Sequence, residues 1–395
     1  MERIEGTKSL SFKRADITAE HFDRLEIDQD TQNPIRDALN SKVFGQPEAV
    51  DCITSAIMRS EAGFTNPNRP KGVLFFLGPT GVGKTEMAKA LTRHLYPDEW
   101  EEHFKRIDCT DLQESHSINR IKGSPNSYVG YGDPVLIMPD FLEKGGVIVF
   151  DEIEKAHKSL YNWLLPVMEE GRVTVPLPTD NPAANGAKDT KEIVPTELDF
   201  TKTYLIMTSN VGADAIGEVR KGKANIGFGA KSESGDINKA AIAALKRHFA
   251  GIPEFLGRIG ETNSIVFKDL GFSEYNRILD KFIDELNGSQ THDAVIISTT
   301  EELRRYFIDN AMSGEYGART LRDQIDRKIV GQAAELKYMG KINSGTIIAD
   351  IDDDTERVFF WSTKEAAKSL GHAIEIYSPP LTTTPQINES EASEE

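Results

Sequence analysis

The chain is poor in cysteine: Cys52 and Cys109 are the only two among 395 residues. Two isolated thiols supply neither a disulfide framework nor the paired spacing of a structural metal site, so both are expected reduced and buried. Long hydrophobic runs are missing too. The longest strongly apolar stretches, "VLFFL" (73–77) and "VIVF" (147–150), have the length of core strands and fall far short of the ~20 residues that cross a bilayer. The first ten residues, "MERIEGTKSL", have no apolar stretch after their charges. No secretory signal is therefore expected, and the cytoplasm is the expected compartment. Basic charge is in deficit as well, with 46 Lys and Arg against 63 Asp and Glu, a net charge of −17. Such a surface repels phosphate backbones and argues against nucleic acid as the main partner. Much of the acid falls outside the expected core, in "DIDDDTE" (350–356) and "NESEASEE" (388–395).

What is present supports ordinary cores: 38% of the residues are hydrophobic. At ~150 residues per domain the length predicts two or three domains. Apolar runs at 72–77, 105–109, 146–150, 203–207 and 264–267 are separated by helical segments. Strands alternating with helices predict an α/β fold, a parallel sheet covered on both faces. A helix is expected over 47–62, with Val50, Ile53, Ala56 and Ile57 on one face. Residues 174–200 hold Pro176, Pro178, Pro182 and Pro195 and the run "NPAANGAKD", and read as an inserted loop.

Beyond residue 268 the pattern turns helical, beginning with "SEYNRILDKFIDEL" (273–286). A strand at 294–298 follows, then a helix opened by a capping box of Thr299 and Glu302. A helix near 318–338 sets Leu321, Ile325 and Ile329 on one face, and 345–351 with 357–361 reads as a closing hairpin. The expected organisation is an extension (1–37), a large domain (38–267), a smaller, mostly helical α+β domain (268–362) and a tail (363–395). The end of that tail, "TTTPQINESEASEE", has too little apolar surface to fold and is expected to be disordered.

Chemistry is concentrated in a few strings. "GPTGVGKT" (78–85) follows a strand and opens a helix, the context a phosphate-binding loop requires. Gly78, Pro79, Thr80, Gly81, Val82 and Gly83 form the loop; its glycines let backbone N–H groups curl around phosphates, aided by the helix N-terminus. Lys84 would neutralise the β- and γ-phosphates, and the Thr85 hydroxyl would ligate Mg²⁺. The strand "GVIVFDE" (146–152) ends in two carboxylates that point in alternate directions. Asp151 suits the Mg²⁺ shell, and Glu152 suits polarising the attacking water. Asn210 ends another strand, where an amide serves equally as a γ-phosphate contact or as a turn former. In "GSPNSYVGYGD" (123–133), Tyr128 and Tyr131 stand among glycines on an expected irregular, exposed segment.

Seven strings in order, "VFGQPEAV", "NRPKGVLFFLGPTGVGKTEMAKAL", "YVGY", "VIVFDEIEKAH", "IMTSNVG", "IPEFLGRI" and "YGARTLRDQI", go beyond a generic nucleotide hydrolase. Together they resemble the AAA+ module of the Clp unfoldases, specifically the second nucleotide-binding module of ClpA, ClpB and ClpC, over about residues 38–350. Without the usual N-terminal domain, first module and coiled-coil middle domain, the chain looks like a single-ring form of that family. The resemblance implies that Val43 and Phe44 line an adenine pocket, that Asn210 senses the γ-phosphate, and that Arg319 is the second sensor. It implies that Arg258 is an arginine finger reaching a neighbouring subunit's nucleotide. Tyr128, followed by Val129, falls where the family grips substrate from a pore loop; the bland alternative is a turn tucked against its own domain.

Ile226-Gly227-Phe228 falls where protease-linked members carry a tripeptide that docks on a ClpP-like peptidase. Packing of Ile226 and Phe228 on their own domain is the alternative there. The chain departs from the family at Gly257 and Gly260, where Asn and Asp are usual, and at Pro166 inside an expected helix. The implied activity is ATP- and Mg²⁺-dependent unfolding and threading of unfolded or tagged proteins by a homo-oligomeric ring, a hexamer, serving a ClpP-like peptidase. The alternative readings are a stand-alone ClpB-like disaggregase, a nucleic-acid AAA+ machine, and a non-catalytic scaffold that binds ATP as a switch.

Overall fold

The computed structural model describes residues 33–123, 135–179, 192–217, 234–289, 295–314, 316–342, 345–352 and 354–362. Tyr128 and Val129, Ile226 to Phe228, the first 32 residues and the tail from 363 lie outside them.

Among the described residues ten strands form three sheets: β1 (Gly72–Leu77), β2 (Phe104–Asp108), β3 (Gly146–Asp151), β4 (Arg172–Thr179), β5 (Glu192–Asp199), β6 (Thr203–Ser209), β7 (Ser264–Val266), β8 (Val295–Thr299), β9 (Gly345–Ile351) and β10 (Val358–Ser362). The largest has the order β2-β3-β6-β1-β7 and every pairing in it is parallel. Its strands are the five expected from the apolar runs. Side chains alternate between the two faces of a strand. Phe75, Leu77, Ile148, Phe150, Leu205 and Met207 accordingly enter one core, and Leu74, Phe76, Val147, Val149, Tyr204 and Ile206 the other. Central β3 and β6 are buried along their whole length, as strands covered on both faces must be.

The registers Phe150↔Met207 and Leu77↔Ser209 align the C-terminal ends of β1, β3 and β6. The phosphate loop, Glu152 and Asn210 all leave the sheet at that one edge. The helix Lys84–Leu95 buries Met87, Ala88 and Leu91 in the second core, beside helices Pro34–Lys42 and Pro47–Glu61. The first of these begins four residues before the expected domain start, capped by the Asn33 side chain, which accepts from the N–H groups of Ile35 and Arg36.

Three expectations need correction, and one is met. Residues 174–200 hold two paired strands, β4 and β5, in antiparallel register with Pro176 opposite Pro195. Pro176, Pro178 and Pro195 share one phase of this ladder, so the alternate residues keep the N–H donors. Pro166 lies inside the helix Lys158–Glu170, as expected, with Leu160, Leu164, Val167 and Met168 buried on both sides of it. Of the two cysteines only Cys109 is buried; Cys52 faces outward on helix Pro47–Glu61, whose inward positions are Val50, Ile53 and Ile57. The helix Glu301–Ser313 is capped by Thr300, whose Oγ1 accepts from Leu303 N at 3.3 Å, because Thr299 still belongs to β8.

The smaller sheet pairs β8 with β9 in parallel and β9 with β10 antiparallel. Helices Phe272–Gly288, Glu301–Ser313 and a run from Ala318 to Tyr338, with a π-helical segment at Ile325–Val330, enclose a third core around Leu279, Phe307, Leu321 and Ile347. Among the described residues no helix is long and apolar enough to cross a membrane.

Candidate active site

The phosphate loop leaves β1 with Gly78 N–H donating to Ser209 O at 3.2 Å. Two of its glycines are required by space and backbone alike. A Cβ on Gly78 (φ 142°) would lie 2.5 Å from Phe267 O, and one on Gly81 (φ 80°) 2.2 Å from Tyr316 O. The loop thus rests directly on the segment that opens the helix of Arg319. Lys84 is buried, and its Nζ donates to Gly78 O (2.5 Å), Pro79 O (2.6 Å) and Asn210 Oδ1 (2.9 Å). Burial draws its pKa down to about 8, against the opposing pull of Glu154, Asp151 and Glu152; the Arg319 charge adds to the lowering.

Asp151 is the last residue of β3 and is buried. The Thr208 hydroxyl donates to its Oδ1, and Nε and Nη2 of Arg106, from adjacent β2, both lie 2.7 Å from its Oδ2. The Thr85 hydroxyl lies 3.4 Å from both oxygens. A hydroxyl and a carboxylate meeting beside the phosphate loop make the oxygen-rich donor set that Mg²⁺ prefers, so the residues present fit that ion.

Glu152 leaves the strand in the left-handed region (φ 53°, ψ 51°), at a cost of ~1–2 kcal/mol for a residue with a Cβ. The reversal aims its carboxylate away from that of Asp151 and toward Asn210, whose Nδ2 donates to Glu152 Oε1 at 3.1 Å. The same turn brings Glu154 back under Asn210, and Asn210 N donates to Glu154 Oε1 at 3.0 Å.

These groups open into a cavity of about 760 Å³ walled by both domains. Val43, Phe44, Leu270, Ile278 and Phe282 provide its apolar side; Arg106, Arg319 and Arg322 provide positive charge. The Phe44 ring is held under the Arg277 guanidinium, 4.2 Å away. The buried Gln46 side chain clasps the main chain of Lys268, accepting from its N at 2.9 Å and donating to its O at 2.8 Å. Lys281 of the small domain reaches Glu86 at 3.2 Å, on the helix that follows the phosphate loop.

Phosphate-loop residues Thr80 to Thr85 line this cavity together with Val43, Phe44, Asp151, Glu152, Asn210 and Arg319. Arg258 does not: it sits in the helix Pro253–Ile259, ion-paired with Glu169 at 2.7 Å. Gly260, one of the two departures beside it, ends that helix at φ 78°, a conformation that favours glycine. Sequence reasoning missed Gln46, Arg106, Glu154, Thr208 and the apolar wall from the small domain. Only the strand order could have revealed Arg106 and Thr208, because it sets β2 and β6 on either side of Asp151.

Two family models match the chain: the AAA domain (Cdc48 subfamily) over residues 69–262, and the C-terminal, D2-small domain of ClpB protein over residues 270–349. Among curated relatives, the chaperone protein ClpB of Staphylococcus epidermidis is 34% identical over 337 residues, 85% of this chain and 35% of the relative. The ClpB of Lactococcus lactis subsp. lactis is 37% identical over 311 residues, covering 78% of this chain and 32% of the relative. The negative regulator of genetic competence ClpC/MecB of Bacillus subtilis is 37% identical over 320 residues, 80% of this chain and 36% of the relative. The chain thus spans about a third of the length of the relatives it matches.

Proposed function

The chain belongs to the Clp family of AAA+ ATPases, and from that premise we propose that it hydrolyses ATP to unfold and thread polypeptides as a homo-oligomeric ring. The observation that carries this reading is the convergence of Lys84, Thr85, Asp151, Glu152, Asn210 and Arg319 on one two-domain cavity. Its apolar side, from Val43 and Phe44 to Phe282, suits a purine, and its opposite end suits a triphosphate.

Loop amides and Lys84 hold the β- and γ-phosphates, and Lys84 exchanges its bonds to Gly78 O and Pro79 O for phosphate oxygens. Thr85 and Asp151 would hold Mg²⁺, which would supply charge neutralisation of the phosphates. Glu152 orients a water and takes its proton, with its carboxylate held by the Asn210 amide. Arg319 ties the small domain to bound nucleotide. Arg258, turned away from its own cavity, is available to a neighbouring subunit's nucleotide, and six such contacts close a ring. Tyr128 and Val129 on the pore loop transmit the movement to substrate.

Steady-state ATPase and nucleotide-binding assays test the reading. Lys84→Ala should lose ATP binding; Glu152→Gln should keep it while turnover falls about 100-fold or more. Undiminished turnover in Glu152→Gln would remove the acid from the mechanism.

Whether the threaded chain is released or degraded divides two readings. Several matched relatives are named chaperone protein ClpB, which favours a stand-alone disaggregase over an ATPase serving a ClpP-like peptidase. The peptidase reading rests on Ile226-Gly227-Phe228 alone. Recovery of activity from a heat-aggregated reporter, without any peptidase, supports the first. Degradation of a tagged reporter with a ClpP-like ring, lost on deleting 226–228, would establish the second.

A further inference from the structure

Glu154 lies two residues beyond Glu152 and has no part in the mechanism above. Because Glu152 takes the left-handed conformation and Ile153–Lys155 forms a tight 3-10 turn, the chain doubles back. Glu152 and Glu154 then grip the same residue from two sides. Glu152 Oε1 accepts from the Asn210 side chain at 3.1 Å, and Glu154 Oε1 accepts from the Asn210 main-chain N–H at 3.0 Å. Asn210 Oδ1 accepts from Lys84 Nζ at 2.9 Å, and its main-chain O accepts from Ala213 N at 3.1 Å.

We propose that Glu154 is a positioning residue of the hydrolytic site: it fixes the main chain of Asn210 where β6 ends, so that the Asn210 amide is presented between Glu152 and Lys84. The reason is local. Asn210 is the first residue past β6, where the pairing of β6 with β1 and β3 no longer holds the backbone. A main-chain N–H at such a point adopts whatever partner is offered. Here the partner is a carboxylate whose other oxygen, Oε2, is buried with no protein partner. A buried carboxylate oxygen left without a partner is unfavourable, and hydrogen bonds to a charged acceptor are stronger than neutral ones. This inference rests on reading Glu152 and Asn210 as hydrolytic groups.

The experiment compares Glu154→Gln, Glu154→Met, Asn210→Ala and the double variant Glu154→Met/Asn210→Ala, each as the full chain. It measures ATPase kcat and KM, nucleotide affinity by equilibrium binding, and the thermal midpoint. Glu154→Gln keeps an oxygen acceptor for the Asn210 N–H and should stay within about 3-fold of wild-type kcat. Glu154→Met fills the same space without the acceptor and should lose about 10-fold in kcat with nucleotide affinity within about 2-fold. The double variant should be no slower than Asn210→Ala alone, because both changes act through one group. Independent, multiplying losses would overturn the proposal, as would a Gln variant as slow as the Met variant. A Met variant that lowers affinity and thermal midpoint along with kcat would mean that Glu154 is structural. If Asn210→Ala itself turns over at the wild-type rate, the parent assignment of Asn210 fails instead, and Glu154 with it.

Discussion

Lys84 is buried beside two loop carbonyls and an amide oxygen, and burial holds its pKa at about 8. Folding lowers this value, so between about 8 and the ordinary lysine range the unfolded chain binds more protons than the folded one. The nucleotide-free protein therefore gains stability from this group as pH rises through that window. Nucleotide acts in the opposite sense, because phosphates favour the charged amine. ATP affinity should be level below about pH 8 and weaken above it. Anisotropy of a fluorescent ATP analogue across that range should show the decline in the wild type and a flat, weaker response in Lys84→Met. A flat wild-type response would mean that Lys84 stays charged throughout. At this scale the strings around Lys84, Asp151 and Glu152 were legible, because the chemistry lies in contiguous letters after recognisable strands. Arg106, Thr208 and Glu154 were not legible. Their role depends on what stands across a strand or a turn from them, and "KRID" or "IEK" carries no mark of that.

Elements tell the same story one level up. The central strands β3 and β6 could be read from their apolar runs, because strands buried on both faces need nothing else. The β4–β5 pair could not, since its prolines look like breakers until the ladder shows them sharing a phase. The start of the helix at Glu301 was misplaced by one residue for a related reason: Thr299 and Thr300 are equal as letters, and only the end of β8 distinguishes them. Gln46 shows what a single side chain does between elements. It stands before helix Pro47–Glu61 and bonds both the N–H and the C=O of Lys268, just past the main sheet. Gln46→Ala removes both of these bonds and should cost ~1–3 kcal/mol in urea unfolding. A change within a few tenths of a kcal/mol would show that water takes over both bonds.

For the whole molecule, the placing of Arg258 outside its own cavity leads to a prediction about assembly. If the proposed target on a neighbouring subunit is right, Arg258→Ala should bind nucleotide with undiminished affinity yet lose most ATPase activity. Static light scattering of Glu152→Gln with ATP should show a closed oligomer, and a monomer under those conditions would rule the ring out. The cavity also has a thermal consequence. Its walls come from two domains with separate hydrophobic cores, joined by contacts that include Gln46, Lys281, the Arg277–Phe44 pair and the seat of the phosphate loop on Tyr316. Nucleotide-free protein should melt in two overlapping calorimetric transitions, one for each domain. ATP bound to Glu152→Gln touches both walls and becomes the largest contact they share. At 100-fold excess over Kd it adds about 2.7 kcal/mol to a state that exists only while both domains are folded. The two transitions should then fuse into one at higher temperature, with nucleotide serving as a removable piece of the interior.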